Sequence, residues 1–456
     1  MAEENQRIQE ESGSDKTCAT ATSTHFVGIG GIGMSSLATI LLEKGENVTG
    51  SDIKEGAVVE KLTGKGAKIG IGHDAAHADG AERIIYSTAI DKSNPETALE
   101  LPKLHRSDLL KDLIDEKKGL LVAGTHGKTG TSGLLAWTLD VAGEDPSFAI
   151  GGFIGELDAN GRHGEGDFFV AEACESDGTF LKYSGHAAIV TNADFDHIDF
   201  WKSRDENEKG FESFLDKPFE HLFVCGDDAL LKKSGKGTTY GLSDDNDIVV
   251  SNFRQDGWYS LFDLTWGEKS FEDIKLNLPG KHNALNAAAV FALCHALGIA
   301  QEAIYEAFET FPGMKRRVQK IGEKEGVLFI DDYAHHPLEV SETLLGLKRA
   351  FPFRRLVAIF QPHRFTRLKA FLDEFSSSFD AADEVLITDV FAAGEKPDEK
   401  INSELLAANT PHATYVPWDD LVETAQTRLL DGDIAITLGA GSITTICPKI
   451  IESMET

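Results

Sequence analysis

The stretch Gly124-Thr125-His126-Gly127-Lys128-Thr129-Gly130 decides the fold of this chain. It follows the apolar run Leu120-Leu121-Val122-Ala123 and precedes residues 132–141, which have the composition of a helix. A strand, a glycine-rich loop, Lys-Thr and a helix are typical of phosphate binding, because glycines let backbone N–H groups converge on phosphate oxygens. We expect Lys128 to reach the β- and γ-phosphates of a nucleotide and the Thr129 hydroxyl to bind Mg²⁺. The first glycine of the full G-x-x-x-x-G-K-[ST] pattern is replaced by valine, so a plain glycine turn is the alternative for this segment alone.

Length and charge limit the possible functions. A chain of 456 residues is expected to fold as two to four domains. Its net charge of −31 argues against nucleic acids and anionic membrane surfaces as partners, since no basic excess exists to neutralise phosphates. The five cysteines are scattered without metal-binding spacing, and no apolar run approaches the length of a membrane span. We therefore expect a cytoplasmic protein, with residues 1–24 as a disordered tail.

Strands alternate with helices along the rest of the chain, which predicts an α/β protein with doubly wound, mostly parallel sheets. The first block contains Gly28-Ile29-Gly30-Gly31-Ile32-Gly33 between a strand and a helix, followed by Asp52. This is the dinucleotide fingerprint in its proper context, and it predicts a ligand with phosphate or ribose without specifying NAD. The strands expected in the later blocks span residues 168–171, 187–190, 222–225, 327–330, 356–360, 384–388 and 434–438, with helices at 337–349 and 366–379.

Carboxylates and one imidazole follow two strands of the second block. Glu172 begins the run Glu-Ala-Cys-Glu-Ser-Asp, and His197 ends the run Thr191 to His197. The carboxyl ends of neighbouring parallel strands face the same crevice as the phosphate loop. We therefore expect Glu172 and His197 to join Thr129 around Mg²⁺ at the nucleotide phosphates. The alternative is a pair of solvated acidic loops.

The third block carries cationic groups at two strand ends. Asp331 to Pro337 and Gln361 to Arg367 each end a strand and open a helix, and they place imidazoles and guanidiniums there. Such a cluster suits carboxylates or phosphate oxygens. Lys315-Arg316-Arg317 adds positive charge that domain closure would bring onto a phosphate. The alternative is that these are ordinary surface residues at helix N-termini.

Together these stretches, with Ile150-Gly151-Gly152, Gly280 to Ala289 and Gly313 to Gln319, resemble the Mur ligases over nearly everything after residue 24. The resemblance implies three domains: an N-terminal Rossmann-like domain for the UDP-sugar (25–118), a central P-loop-type ATPase domain with a mostly parallel sheet (119–316), and a C-terminal Rossmann-like domain for the amino acid (317–456). It implies ATP and Mg²⁺ as cofactors, and an acyl phosphate formed on UDP-N-acetylmuramate and then attacked by an amine.

The alanine-adding branch, with L-alanine as the acceptor, is the nearest match because of the Glu-Ser-Asp-x-x-Phe run and residues 361–367. The alternatives are the recycling branch that attaches a preformed tripeptide, a non-catalytic UDP-sugar sensor and a Rossmann oxidoreductase. The expected assembly is a monomer or a weak homodimer.

The resemblance also assigns roles to individual residues. Nucleotide binding falls on Gly124, Thr125, His126, Gly127, Lys128, Thr129 and Gly130, on Asn286 at the adenine, and on Arg317 and Asp332 from across the interdomain cleft. The metal ligands are Thr129, Glu172 and His197, and the catalytic set is Lys128, His197, His336, Arg364 and Arg367. UDP-sugar contacts fall on Gly28, Gly30, Gly31, Gly33, His73 and Ser87. Gly130 and Cys174 depart from the family pattern, which usually has threonine and aspartate there.

Overall fold

The computed structural model describes residues 22–195, 200–398 and 400–454. They form two compact units, the first ending at Arg106 and the second beginning at Ser107. The first unit contains a five-stranded sheet of parallel strands in the order β3-β2-β1-β4-β5. Its elements are β1 (Ser23–Val27), α1 (Ile32–Glu43), β2 (Asn47–Asp52), α2 (Ala57–Gly64), β3 (Lys68–Ile71), β4 (Arg83–Tyr86) and β5 (Lys103–His105), and α3 (Arg106–Asp115) follows at the boundary.

The second unit begins with a ten-stranded sheet in the order β15-β14-β13-β12-β11-β10-β6-β9-β7-β8. Its elements are β6 (Lys118–Ala123), α4 (Lys128–Val141), β7 (Ser147–Ile154), β8 (Ala159–Arg162), β9 (Phe168–Glu172), β10 (Ala187–Val190), α5 (Arg204–Leu215), β11 (His221–Cys225), α6 (Ala229–Ser234), β12 (Thr238–Gly241), β13 (Ile248–Asp256), β14 (Tyr259–Trp266), β15 (Lys269–Leu276), α7 (Lys281–Ala296) and α8 (Gln301–Thr310). The central strands are parallel, and β13 to β15 form an antiparallel extension.

A six-stranded sheet completes the second unit, in the order β16-β17-β21-β18-β19-β20. Its elements are β16 (Gln319–Lys324), β17 (Val327–Asp332), α9 (Pro337–Ala350), β18 (Leu356–Phe360), α10 (Phe365–Ala370), α11 (Leu372–Ser377), β19 (Glu384–Ile387), α12 (Ser403–Asn409), β20 (Ala413–Tyr415), α13 (Leu421–Arg428), β21 (Ile434–Leu438) and α14 (Ile446–Ser453). All pairs are parallel except β16 with β17.

Burial explains why the predicted strands form. Every residue of β10, β17, β18 and β21 is buried, as expected for parallel strands covered by helices on both faces. The three α/β sheets confirm the predicted fold class, whereas the domain boundaries at 118/119 and 316/317 stay predictions. None of the helices in the described ranges combines the length and the apolarity that crossing a bilayer requires.

One expected element is wrong. Residues 366–379 form two short helices, α10 and α11, because Phe371 between them has φ −128° and ψ 30°, outside the helical region. The break turns the chain where Phe371 packs edge-on against the ring of His336, with ring centroids 4.8 Å apart.

Candidate active site

The phosphate loop joins β6 to α4 and depends on two glycines. Gly124 and Gly127 have φ of 133° and 80°, which L side chains rarely adopt. A methyl group at Gly124 would also collide with the Thr191 hydroxyl. The loop is fixed to the end of β10, because the His126 N–H donates to Asn192 Oδ1 (2.8 Å) and Thr191 Oγ1 donates to the His126 carbonyl (2.6 Å). The Thr125 hydroxyl donates to the Asp194 carbonyl (2.8 Å).

Lys128 begins α4 and is buried beneath this loop. Its Nζ donates to the carbonyls of Gly124 (2.7 Å) and Thr125 (3.0 Å) and forms an ion pair with Glu175 Oε2 at 2.7 Å. Burial is the largest single influence and would lower the pKa of Lys128, but the charges around it, Glu175 foremost and Glu172 as well, together with the hydrogen bond to Glu175, raise that pKa. Burial raises the pKa of the neighbouring Cys174 thiol, so this group is uncharged at neutral pH and Glu175 supplies the compensating charge. The lysine therefore carries its charge at the base of the loop.

A hydroxyl and a carboxylate lie together at the start of α4. Thr129 Oγ1 donates to Glu172 Oε2 (3.0 Å), and the Gly151 N–H donates to the same oxygen (2.9 Å). A methyl group at Gly151 would come within 2.7 Å of this carboxylate, so the glycine leaves room for it. This oxygen donor set fits Mg²⁺, which binds few protein oxygens and retains several waters. The third predicted ligand, His197, lies outside the described residues.

Asn286 lies against the same loop from α7. A methyl group at Gly127 would come within 2.9 Å of Asn286 Nδ2, so this glycine is needed for space as well as for backbone conformation. Gly130, in the first turn of α4, would meet nothing within 4 Å if it carried a side chain. The structure thus brings the loop, Glu172 and Asn286 together at the carboxyl ends of β6, β9 and β10.

Asp332 ends β17 and anchors the segment that enters the C-terminal sheet. Its carboxylate accepts hydrogen bonds from the N–H groups of Val318 (2.6 Å) and Ala334 (2.7 Å). Burial raises the pKa of Asp332 to about 6, although Arg317 and the two N–H groups act in the opposite direction. Val318 has φ 46°, a strained conformation for a β-branched residue. The guanidinium of Arg317 lies 5.5 Å from the ring centroid of Tyr333.

The His335-His336 turn is organised by Glu339. Glu339 Oε2 accepts hydrogen bonds from the N–H groups of His335 (3.1 Å) and His336 (3.3 Å). The ring of His336 caps α9 by accepting from the Leu338 N–H (3.4 Å). His335 Nδ1 faces the Tyr333 carbonyl at 2.9 Å and must donate to it, which leaves Nε2 as the acceptor of the neutral ring. Burial lowers the pKa of His335, so this neutral form is the one present at pH 7.

The second turn places His363 and Arg367 beside His335, and Arg364 lies near both of these residues. Arg367 Nη1 lies 3.1 Å from His363 Nδ1, and since arginine only donates, His363 carries its proton on Nε2. Burial, followed by the charge of Arg367, lowers the pKa of His363 to about 4. Arg364 has φ 72° and donates its N–H to the Phe391 carbonyl (2.9 Å). The rings of His335 and His363 are 5.9 Å apart, so the two turns form one wall.

In the first unit, the glycine loop opens α1 as predicted. The Gly30 N–H donates to Asp52 Oδ2 (2.9 Å), so this acid holds the loop itself. His73 bonds to the buried Glu96 (3.2 Å), which also accepts from Ser51 (2.6 Å) and pairs with His25 (3.1 Å). Ser87 follows β4, and its carbonyl accepts from the Ile90 N–H (3.1 Å).

Four residues near these sites were missed by the sequence interpretation. Glu175 pairs with Lys128, Glu339 organises the histidine turn, and Asn192 holds the phosphate loop. Arg106 reaches the start of α1, where a methyl group at Gly33 would come within 3.2 Å of its Nη1. Glu175 lies in a run that the sequence had singled out. Arg106, in contrast, is far from the glycine loop in the sequence, because β2 to β5 lie between them.

An α/β chain with a phosphate loop, a neighbouring acid and a separate glycine-rich first sheet has the organisation of a multidomain nucleotide-binding protein. Three domain descriptions match it in order: "Mur ligase family, catalytic domain" over residues 23–118, "Mur ligase middle domain" over 122–294 and "Mur ligase, glutamate ligase domain" over 316–441. The chain therefore belongs to the Mur ligase family.

Individual relatives agree with this assignment. The UDP-N-acetylmuramate–L-alanine ligase of Protochlamydia amoebophila is 43% identical over 94% of this chain and 98% of its own length. The crystal structure of a UDP-N-acetylmuramate-alanine ligase from Thermotoga maritima superposes with a TM-score of 0.83 at 28% identity, covering 95% of this chain and 99% of the other. A murein peptide ligase from Psychrobacter arcticus covers the same shares with a TM-score of 0.68 at 23% identity, a likeness of fold alone.

Proposed function

We propose that this protein joins L-alanine to the lactyl carboxylate of UDP-N-acetylmuramate, using ATP and forming UDP-N-acetylmuramoyl-L-alanine, ADP and phosphate. The observation that carries the proposal is the 43% identity to an alanine ligase over 94% of this chain, combined with the charged Lys128 under the phosphate loop. We propose that the reaction takes place in the cytoplasm, with the protein acting as a monomer or weak homodimer.

The first step requires two anions to meet. A lactyl carboxylate oxygen attacks the γ-phosphorus of ATP, the bond to the β-phosphate oxygen breaks, and an acyl phosphate forms with ADP. Lys128 and the N–H groups of the loop stabilise the charge on the transferred group. Thr129, Glu172 and His197 would hold Mg²⁺, which supplies charge neutralisation between the carboxylate and the phosphates.

The second step uses the wall of the C-terminal sheet. The neutral amine of alanine attacks the carbonyl carbon, and the tetrahedral intermediate expels phosphate as the C–O bond breaks. Arg364 and Arg367 suit the alanine carboxylate, because a guanidinium binds a carboxylate through two parallel hydrogen bonds. The ammonium group of free alanine must lose one proton before it attacks, and the nitrogen loses a second proton afterwards. The Nε2 lone pair of neutral His335 offers a proton acceptor on the same wall.

The UDP-sugar is assigned to the first unit. The N-terminus of α1 has no side-chain cap, so its N–H groups and the glycine loop suit a pyrophosphate. Arg106, close to Gly33, adds a guanidinium there. His73 is held by Glu96 and Ser51 at the carboxyl end of β2, where a ligand of this sheet would bind.

Phosphate release tests this proposal in a single assay. The purified chain is incubated with ATP, Mg²⁺ and UDP-N-acetylmuramate, and with alanine, glycine, serine or the L-alanyl-D-glutamyl-diaminopimelate tripeptide as the acceptor. Alanine should give the highest kcat/KM, and release should require both the sugar nucleotide and the acceptor. Preference for the tripeptide would assign the chain to the recycling branch, and the absence of turnover with every acceptor would favour a UDP-sugar sensor.

A further inference from the structure

Two histidines and a glutamate lie together at the amino ends of β10 and β11, at the end of these strands opposite the phosphate loop. His186 precedes β10, Glu220 precedes β11 and His221 begins β11. One ligand atom from each of the three lies within 4.8 Å of the others. His186 Nδ1 is 3.3 Å from Glu220 Oε2, His221 Nε2 is 4.0 Å from Glu220 Oε1, and the two imidazole rings are 5.7 Å apart.

These distances approach those of a transition-metal site. Metal–ligand bonds of about 2.0–2.1 Å at tetrahedral angles separate two ligand atoms by about 3.3 Å. The distance from His186 to Glu220 Oε2 already has this value, and the distance from His221 to the other carboxylate oxygen, Oε1, exceeds it by less than an ångström. Rotation of the largely exposed Glu220 side chain supplies such a shift without moving the backbone.

The backbone beneath the three residues is fixed by the sheet. The N–H groups of Glu220 and His221 both donate to the His186 carbonyl, at 2.9 and 3.4 Å. Ala187 pairs with His221 in the parallel register of β10 and β11. The ligand geometry is therefore set by strand pairing between β10 and β11, which is more rigid than a loop.

The chemistry of the three donors selects the ion. Two imidazoles and a carboxylate are the donors of borderline divalent metals such as Zn²⁺, whereas Mg²⁺ prefers oxygen ligands alone. Both imidazoles are about one quarter exposed, at 21% and 28%, so water can complete a four-coordinate shell.

We propose that His186, Glu220 and His221 form a zinc-type metal site that joins β10 to β11. The ion would link segments on either side of the long connection that carries α5, and a crosslink across a long connection stabilises the folded chain by restricting the unfolded one. The site lies at one end of β10, while Thr191 and Asn192 hold the phosphate loop beyond the other end. Its role is thus structural and separate from the proposed Mg²⁺ ligands.

Calorimetric titration of the full chain with Zn²⁺, without nucleotide or Mg²⁺, tests this site, and Co²⁺ absorption reports the coordination geometry. The wild type should bind one equivalent that His186→Ala and His221→Ala each weaken by at least about tenfold, as losing a ligand should cost no less than losing a supporting contact. Zn²⁺ should raise the Tm of the wild type and not of these variants.

His163→Ala is the matched control, because His163 faces Glu165 at 3.9 Å and belongs to no cluster of three such ligand residues among the described residues. It should bind Zn²⁺ as the wild type does. Glu220→Gln provides a third variant whose amide preserves size, and it should also weaken binding. Equal Zn²⁺ affinity in the wild type and the three site variants would overturn the proposal. In that case Zn²⁺ binds elsewhere, for example at Glu172.

Discussion

At the scale of single residues, the pairing of Lys128 with Glu175 has two consequences for mutagenesis. Lys128→Ala should abolish most turnover, because it removes the cation that stabilises the transferred phosphate. It should also lower the free energy of unfolding by about 3–5 kcal/mol, since it leaves the buried Glu175 carboxylate without its counter-charge. The ion pair is therefore the reason to expect a loss of stability beside the loss of turnover.

The double variant Lys128→Ala/Glu175→Gln separates the two effects. It should recover part of the lost stability, measured by urea unfolding, while phosphate release stays low. Lys118→Ala is the control and should change neither quantity, because Lys118 is an exposed lysine at the start of β6, the strand that leads into the phosphate loop. Near-normal turnover in Lys128→Ala would remove the phosphate-loop assignment.

Glu172 offers a milder test of the metal ligands. Glu172→Gln keeps an oxygen that can accept from Thr129 and Gly151, so the fold should persist. The neutral amide compensates the cation less, so the Mg²⁺ concentration for half-maximal phosphate release should rise. Glu165→Gln on the exposed surface is the control. If the Mg²⁺ titration of Glu172→Gln matches that of the wild type, Glu172 is not a metal ligand.

The two arginines of the C-terminal wall should act on the acceptor. Arg364→Lys and Arg367→Lys should raise the KM for alanine about ten- to a hundredfold, because a charged hydrogen bond contributes about 1.5–3 kcal/mol and lysine cannot replace a bidentate contact. The KM for ATP should change less. Arg349→Lys, exposed near the end of α9, is the control. A change confined to the KM for UDP-N-acetylmuramate would place the arginines at the lactyl carboxylate instead.

At the scale of elements, Asp332 at the end of β17 should make the free energy of unfolding depend on pH. Its folded pKa of about 6 lies above the ordinary 3.8, so the folded chain binds more protons than the unfolded chain between those values. The contribution of Asp332 to stability is therefore complete below about pH 4 and is lost as pH rises through about 6. Two pKa units correspond to about 3 kcal/mol of the free energy of unfolding.

Asp332→Asn should remove this dependence. Although the amide loses one of the two N–H bonds and lowers stability overall, the fall in the free energy of unfolding between pH 4 and 6 should be smaller than in the wild type. Urea unfolding across that pH range measures it, with the exposed Asp380→Asn as the control. Parallel pH profiles for the wild type and Asp332→Asn would show that Asp332 titrates normally.

Regular elements could be predicted because their signal is local. Buried parallel strands such as β17 and β18 contain continuous apolar runs, and the glycines of the phosphate loop indicate a turn between a strand and a helix. The break between α10 and α11 could not be predicted, since residues 366–379 contain no proline or glycine. It depends on the tertiary packing of Phe371 against His336.

At the scale of the whole molecule, one part of the candidate site could be predicted from the sequence and another part could not. The proximity of the phosphate loop and Glu172 could be predicted, because parallel strands align their carboxyl ends. Glu175 lies in a run that the sequence singled out, but the sequence does not indicate which carboxylate of that run pairs with Lys128. Arg106 is distant in sequence from the glycine loop, and a single sequence contains no signal that brings it there. His336 was expected at the substrate, and in the structure its ring also caps α9. Its predicted contact stays a prediction.

The division of the chain into two compact units predicts that the sugar nucleotide and ATP can be lost separately. A methyl group at Gly30 would approach Asp52 Oδ2 to 2.8 Å and disturb the glycine loop of the first unit. Gly30→Ala should therefore weaken UDP-N-acetylmuramate binding and leave ATP binding unchanged, whereas Lys128→Ala should do the reverse. Calorimetry on the full chain measures both, with Gly64→Ala in α2 as a glycine control whose Cβ would meet nothing within 4 Å.

The same titrations test the nature of the first site. Asp52 accepts the Gly30 N–H through one oxygen and the Lys54 N–H, at 3.4 Å, through the other. Ribose hydroxyls, which such an acid binds in NAD proteins, would have to share these oxygens with the backbone. NAD and NADP should give no heat with the wild type. Tight NAD binding, abolished by Gly30→Ala, would mean that the fingerprint serves a dinucleotide and that the UDP-sugar binds elsewhere.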